Sequence, residues 1–322
     1  MSRRRTFVAA QSVFATVVLV GSGLVVAASP VASAEPNHQQ PTIENASYGP
    51  HDRNKLDLWQ ADSEQPTPLL VFIHGGGFVQ GDKAGIRKNP AVRRALDAGV
   101  SFASINYRFR EHAPIQDILR DAARAIQYVR SRSAEWNIDP ARIAAYGSSA
   151  GAGTSLWLAF HDDLADPSSA DPVLRQSSRL TAAGSLDGQA SYDLRDWEAI
   201  LGPSPFQRAV ADRRQFYGFA TEADAETPQA DQIMKDCGMI GVISQDDPPV
   251  VVACGLPGGD EIATRGDYVH HPKHSIAIAE RCRAKGVECR LILHDETAGD
   301  RPRQASLAVD FLLEKLKGPA GK

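Results

Sequence analysis

The pentapeptide Gly147-Ser148-Ser149-Ala150-Gly151 stands between a short apolar strand candidate, Ile143-Ala144-Ala145-Tyr146, and a helix candidate, Ala152–Phe160, that begins in small residues. A serine on so sharp a strand-to-helix turn is held in a strained backbone with its hydroxyl exposed. Glycines flank it because a Cβ at either place would collide with the neighbouring strand and helix. A glycine- and serine-rich turn also arises by chance; the strand before it and the helix after it make this one specific.

The remaining chain has a matching rhythm. Ile43–Tyr48 and Lys55–Trp59 read as two strands of a hairpin around Gly49-Pro50-His51-Asp52. Further strands are expected at Leu69–Ile73, Val100–Ile105, Thr181–Leu186, Val250–Cys254 and Val287–Leu293. Between them lie helix candidates at Ala91–Ala98, Ile115–Arg130, Ile276–Lys285 and Gln304–Leu316. In the second of these Ile115, Ile118, Leu119, Ala122, Ala125, Ile126 and Val129 share one face. Strands alternating with such helices imply right-handed crossovers, hence an α/β fold with a mostly parallel sheet and helices on both faces. The rhythm breaks from Tyr192 to Asp247, a polar, arginine-rich stretch with Trp197, Phe206, Phe216, Tyr217 and Phe219. A segment this long is read as an inserted cap, 190–247, over the sheet edge.

Composition agrees with one large domain, 41–318: 322 residues, 43% hydrophobic and 23% charged, exclude a disordered, collagen-like or disulfide-dense chain. The first residues differ. Arg3, Arg4 and Arg5 precede the apolar run Phe7–Ala28, and Ala32-Ser33-Ala34 offers a small-x-small cleavage site. Residues 1–34 are therefore expected to be a signal peptide and 35–40 a linker, giving a secreted or extracytoplasmic protein. Arg4-Arg5-Thr6-Phe7-Val8 fits a twin-arginine signal and, equally, an ordinary secretory one. An uncleaved membrane anchor fits less well, because Gln11, Ser12, Thr16, Gly21, Ser22 and Gly23 dilute the span. Cleavage would move the formal charge from −4 to −7, which argues against nucleic acid or an anionic membrane as the main partner.

The cysteines, Cys237, Cys254, Cys282 and Cys289, have no metal-ligand spacing, so no metal is expected. Cys282 and Cys289 are placed where they could pair in an oxidising compartment, whereas Cys254 reads as a buried thiol.

A second glycine signal, His74-Gly75-Gly76-Gly77, directly follows the strand Leu69–Ile73. Glycines there let main-chain N–H groups face a substrate, so Gly76, Gly77 and Ala150 are candidate oxyanion donors. His74 is read as holding that loop.

With these pieces in place, the chain from about Leu56 to Gly151 resembles the hormone-sensitive-lipase-like and feruloyl-esterase-like branch of the α/β-hydrolases. The likeness rests on His74-Gly75-Gly76-Gly77-Phe78, Asn106-Tyr107-Arg108-Phe109, Asp117-Ile118-Leu119-Arg120-Asp121-Ala122, and Asn137-Ile138-Asp139-Pro140-Ala141-Arg142-Ile143 leading into the serine turn. It implies the α/β-hydrolase fold, a serine nucleophile at Ser149, no cofactor, and a small-molecule or carbohydrate-linked ester as substrate. It also implies an acid after Val250–Cys254, for which Asp260 is the candidate with Glu261 behind it, and a histidine several residues beyond the last strand. That stretch reads Asp295-Glu296-Thr297-Ala298-Gly299-Asp300 and holds none.

Three substitutes are weighed. His294 ends the last strand, which should lie three places from the serine's strand, roughly 14 Å away at about 4.8 Å per strand. His270 and His271 end the long loop that carries Asp260 and starts one strand nearer; His271 is favoured and His294 stands second. If none serves, the chain is a catalytically impaired relative that acts as a binding or structural module. The sequence assigns no oligomeric state.

Overall fold

The computed structural model describes residues 40–206, 213–259 and 261–318. The expected signal 1–34, the linker up to residue 39, the expected acid Asp260 and residues 207–212 of the inserted segment lie outside the described residues.

Among the described residues eight strands form one sheet: β1 Ile43–Ser47, β2 Lys55–Trp59, β3 Thr67–Ile73, β4 Ser101–Ile105, β5 Ile138–Ser148, β6 Ala182–Leu186, β7 Val250–Ala253 and β8 Cys289–Ile292. Their spatial order is β1-β2-β4-β3-β5-β6-β7-β8. The hairpin β1/β2 and the pair β2/β4 are antiparallel, and every other pairing is parallel. All of β4 and β7 is buried, as expected of parallel strands covered on both faces.

The helices are α1 Pro90–Asp97, α2 Ile115–Ser131, α3 Ala150–Phe160, α4 Asp196–Leu201, α5 Arg213–Tyr217, α6 Pro228–Asp236, α7 Arg265–His270, α8 Pro272–Lys285, α9 His294–Thr297 and α10 Arg301–Lys317. One face of the sheet buries Leu70, Phe102, Tyr146 and Val251 against Val92 and Ala95 of α1 and Val309, Leu312 and Leu316 of α10. The other buries Leu69, Val71, Ile73 and Val252 against the apolar stripe of α2, Leu156 of α3 and Ile278 of α8. The chain thus has the layered α/β architecture that the alternation implies.

Three elements near the C-terminus differ from expectation. The helix expected at Ile276 begins at Pro272, with His271 as its N-cap. The short helices α7 and α9 stand where a loop was expected. All four cysteines are free thiols, with Cys237, Cys254 and Cys282 buried, so Cys282 and Cys289, which the sequence places where they could pair, are not bonded to each other.

Candidate active site

The serine turn follows from the packing of β3, β5 and α3. Ser149 has φ 50° and ψ −117°, a region that costs a non-glycine residue about 1–3 kcal/mol. Its amide donates to the Leu186 carbonyl at 2.9 Å, while its carbonyl starts α3 by accepting from Ala152 and Gly153. A Cβ on Gly151 would stand 2.0 Å from the Ile73 carbonyl oxygen, and one on Gly147 2.4 Å from the Gly151 backbone. Both glycines are therefore required by contact between β3 and the turn. As the first residue of α3, Ala150 has an amide with no intrahelical acceptor.

The loop 74–81 leaves the end of β3, next to β5, and is braced by Asn106-Tyr107-Arg108. The Asn106 side chain accepts from the Lys83 amide and donates to Asp82, each at 2.7 Å. Tyr107 donates its hydroxyl to the His74 carbonyl at 2.7 Å and stacks on the His74 ring at 4.3 Å. Arg108 grips Asp121 on α2 with two 2.8 Å bonds. His74 is 4% exposed. Its Nδ1 donates to the Gly75 carbonyl at 2.7 Å, which leaves Nε2 to accept from Arg53 at 3.3 Å. Burial lowers its pKa, so it is a neutral brace, as its position in the sequence suggests. Gly76 and Gly77 both have positive φ, 110° and 62°, and Gly77, Ser149 and Ala150 line one cleft.

The histidine beside the serine is His270. Its Nε2 stands 3.5 Å from Ser149 Oγ, and its Nδ1 lies 2.8 Å from the main-chain carbonyl of Asp187. A carbonyl only accepts, so the ring proton sits on Nδ1 and the lone pair of Nε2 faces the serine, the tautomer a general base needs. Asp187 follows β6 with φ 51°, and its own carboxylate accepts from the Gly255 amide at 2.7 Å, tying the β6 and β7 loops together. Cys254 donates its thiol to the His270 carbonyl at 3.3 Å. Burial pushes this thiol up to about 12, so it acts as a prop and not as a reactive group.

His271, the favoured candidate, points elsewhere. It is the N-cap of α8, with Nδ1 accepting from the Lys273 amide at 3.1 Å and Nε2 donating to the Gly259 carbonyl at 3.0 Å. The cause is a change of backbone between neighbours: α7 ends at His270, and His271 is extended at ψ 135°. His294 begins α9 beyond the outermost strand, with Nδ1 3.1 Å from Asp295, and its ring fills the space beside Gly299. No contact joins His271 or His294 to Ser149 among the described residues. Asp260 lies outside them, and no carboxylate bonds to the His270 ring among them.

Below His270, the ring of His274 is fully buried against Trp197, at 4.7 Å. It accepts from the Ala190 amide at 3.3 Å and donates to the Tyr268 carbonyl at 3.2 Å. Burial lowers its pKa to about 3. A neutral histidine thus fastens α7 to the start of the inserted segment.

The cleft over Ser149 has a cavity volume of about 80 Å³ and is lined by Phe78, Tyr192, Leu194, Trp197 and Phe216, with Gln189, Arg110, Arg265 and Val269 completing the wall. Leu194, Trp197 and Phe216 come from the segment between β6 and β7 that was read as a cap.

A serine at the β5–α3 turn, under the loop that follows β3, in a sheet of this strand order, is the arrangement of the α/β-hydrolase esterases. The chain belongs to the BD-FAE family, whose model matches residues 56–257. It is 31% identical over 142 residues to the protein named Probable isoprenylcysteine alpha-carbonyl methylesterase ICMEL1 of Arabidopsis thaliana, covering 44% of this chain and 29% of that one. It is 25% identical over 213 residues to Esterase LipC of Mycobacterium tuberculosis, covering 65% and 49%. The chain thus spans about a third to a half of the length of these curated relatives. Among solved structures, a truncated carbohydrate esterase from gut microbiota superposes with TM-score 0.66 at 19% identity, covering 87% of this chain and all of that one. A thermophilic esterase of Thermogutta terrifontis gives 0.61 at 21%, covering 86% and 96%. At that identity both show the shared fold.

Proposed function

We propose that this chain is a carboxylic ester hydrolase with Ser149 as nucleophile and His270 as base. His270 Nε2 takes the hydroxyl proton as Ser149 Oγ attacks the ester carbonyl, and the amides of Gly76, Gly77 and Ala150 receive the oxyanion. The imidazolium then protonates the departing alkoxide, and a water, deprotonated by the same nitrogen, releases the acid from the serine. The main-chain carbonyl of Asp187 holds the ring in the required tautomer. The observation that carries this reading is the 3.5 Å approach of His270 Nε2 to Ser149 Oγ with Nδ1 already engaged; such contacts commonly tighten when substrate binds. The substrate is a small-molecule or carbohydrate-linked ester whose acyl or alcohol part enters the aromatic cleft, and the inserted segment shapes that cleft.

Labelling with a fluorophosphonate, mapped by peptide mass, tests the reading. Ser149 is expected to carry the label, and Ser149→Ala to lose both label and turnover of short aryl esters. A folded chain that takes no label and hydrolyses none of them would favour the second reading, a binding module that has lost turnover. That reading draws on the absence of a carboxylate at the His270 ring among the described residues.

Export is part of the same proposal, supported by Arg3–Arg5, the apolar run and Ala32-Ser33-Ala34. Secreted protein should begin at Glu35 on terminal sequencing; an intact Met1 or Ser2 would replace export with anchoring.

A further inference from the structure

Two arginines, Arg110 and Arg265, line the aromatic cleft over Ser149 together with Phe78, Tyr192, Trp197 and Phe216. This is unexpected in a chain whose formal charge is −4. The two arginines are held differently. Arg110 is fixed in the wall, its amide donating to the Phe78 carbonyl at 2.8 Å, its Nη2 to Gln215 at 3.3 Å, and its guanidinium 5.8 Å from the Phe216 ring centre. Arg265 is exposed at the start of α7, the helix whose last residue is His270, and it joins no ion pair among the described residues.

We infer that the substrate carries an anionic group, a carboxylate or an equivalent oxyanion, that is received by Arg265. The inference deepens the ester-hydrolase reading and rests on it. A guanidinium presents parallel N–H donors that match a carboxylate, and it is more weakly hydrated than an ammonium, so it binds such a group well beside aromatic rings. The aromatic wall raises the value of that pairing by excluding water from part of it. Because α7 carries Arg265 at one end and His270 at the other, an anion seated on the first fixes the substrate relative to the base.

The test compares kcat/KM for matched charged and neutral esters on the full chain. One pair places the charge on the acyl side, mono-4-nitrophenyl adipate against 4-nitrophenyl hexanoate. The other places it on the alcohol side, 4-carboxyphenyl acetate against 4-(methoxycarbonyl)phenyl acetate. The reading in each pair is the charged-to-neutral ratio. In at least one pair it should fall about tenfold or more in Arg265→Ala, the range lost with one charged hydrogen bond. It should fall further in Arg265→Glu and recover in part in Arg265→Lys, and the responding pair identifies the side that bears the anion. Added salt should compress the wild-type ratio. Ratios that favour the neutral ester in both pairs, or that stay the same in Arg265→Ala and Arg265→Glu, would overturn the inference while leaving the hydrolase reading intact. Failure of the wild type to turn over either member of either pair, with no label at Ser149, would remove both.

Discussion

Nε2 of His270 stands 3.5 Å from Oγ of Ser149 although 121 residues separate them in the chain. The end of β6 makes that meeting possible. The Leu186 carbonyl holds the Ser149 amide, and the next carbonyl, that of Asp187, holds the His270 ring. Two consecutive peptide groups therefore fix the candidate nucleophile and the candidate base in one frame.

Alanine replacement of three histidines separates the candidates for the base. His270→Ala should lower kcat on a short aryl ester by about a thousandfold or more, as removal of a base from a catalytic unit does, with the melting temperature nearly unchanged. His271→Ala should instead cost roughly 1 kcal/mol of stability, the usual penalty for a lost N-cap. His294→Ala should do neither. If kcat collapses in the His271 or His294 variant and survives in His270→Ala, the assignment is wrong.

His274 predicts a pH dependence of stability. Its folded pKa is lowered to about 3 by burial, against 6.5 for an ordinary histidine. The unfolded chain therefore binds a proton at this site that the folded chain refuses. The contribution is fully present above pH 6.5 and is lost progressively as pH falls toward 3, at a slope of about 1.4 kcal/mol per pH unit. Urea titrations of the wild type and of His274→Phe between pH 4 and 7.5 should show a shallower slope in the variant. Parallel slopes would mean that the ring is protonated in the folded chain.

Gly153 bears on the geometry of the turn through Tyr192. The Tyr192 hydroxyl donates to the Ala150 carbonyl at 2.6 Å, and a Cβ on Gly153 would lie 2.3 Å from that hydroxyl oxygen. Gly153→Ala should displace the ring from the cleft wall and reduce kcat/KM by tenfold or so, comparable to the loss of one oriented hydrogen bond. Circular dichroism should show the secondary structure retained. Wild-type kinetics in this variant would show that Tyr192 yields without affecting the cleft.

The Arg108–Asp121 pair joins the strand β4 end to α2, and Asp121 is 5% exposed. Removing the acid leaves Nε of Arg108 and the Arg108 amide, which also bonds Asp121 at 3.0 Å, without that acceptor, while Nη2 keeps only the Asp117 carbonyl at 3.1 Å. Asp121→Ala should destabilise the fold by about 3 kcal/mol or more, visible as a large drop in the urea midpoint. Asp121→Asn should fall between, since the amide oxygen still accepts.

Legibility from sequence follows the strength of the local signal. The hairpin, the parallel strands and α2 are legible because their apolar residues repeat with a clean period, and β2 lies at Lys55–Trp59 in both readings. The serine turn is legible because only glycine fits beside β3 at positions 147 and 151, and the glycine loop because Gly76 and Gly77 take positive φ. The sequence favours His271, whereas the histidine that approaches Ser149 is its neighbour His270, since adjacent histidines cannot be told apart by composition. A signal exists nonetheless. Thr264 and Asp267 stand at capping-box spacing and start α7, and Pro272 occupies the first turn of α8, where the preceding residue serves as N-cap. Once His271 is committed to that cap, His270 is the histidine left to face the cleft. Its acceptor could not be read at all, because a main-chain carbonyl leaves no mark on side-chain sequence.

The position of His270 on α7 has a consequence for how such a chain can vary. Among the described residues, every group assigned to the chemistry is encoded between Gly76 and His270. Beyond them, β8, α9 and α10 support the site from behind, as Gln304 does in donating to the Cys254 carbonyl at 3.1 Å. On this assignment substitutions after Lys285 should act on durability, whereas those in residues 264–274 should act on durability and reactivity together. A library drawn from the last strand and helix should yield variants that differ in lifetime, and one drawn from α7 variants that differ in what they cleave.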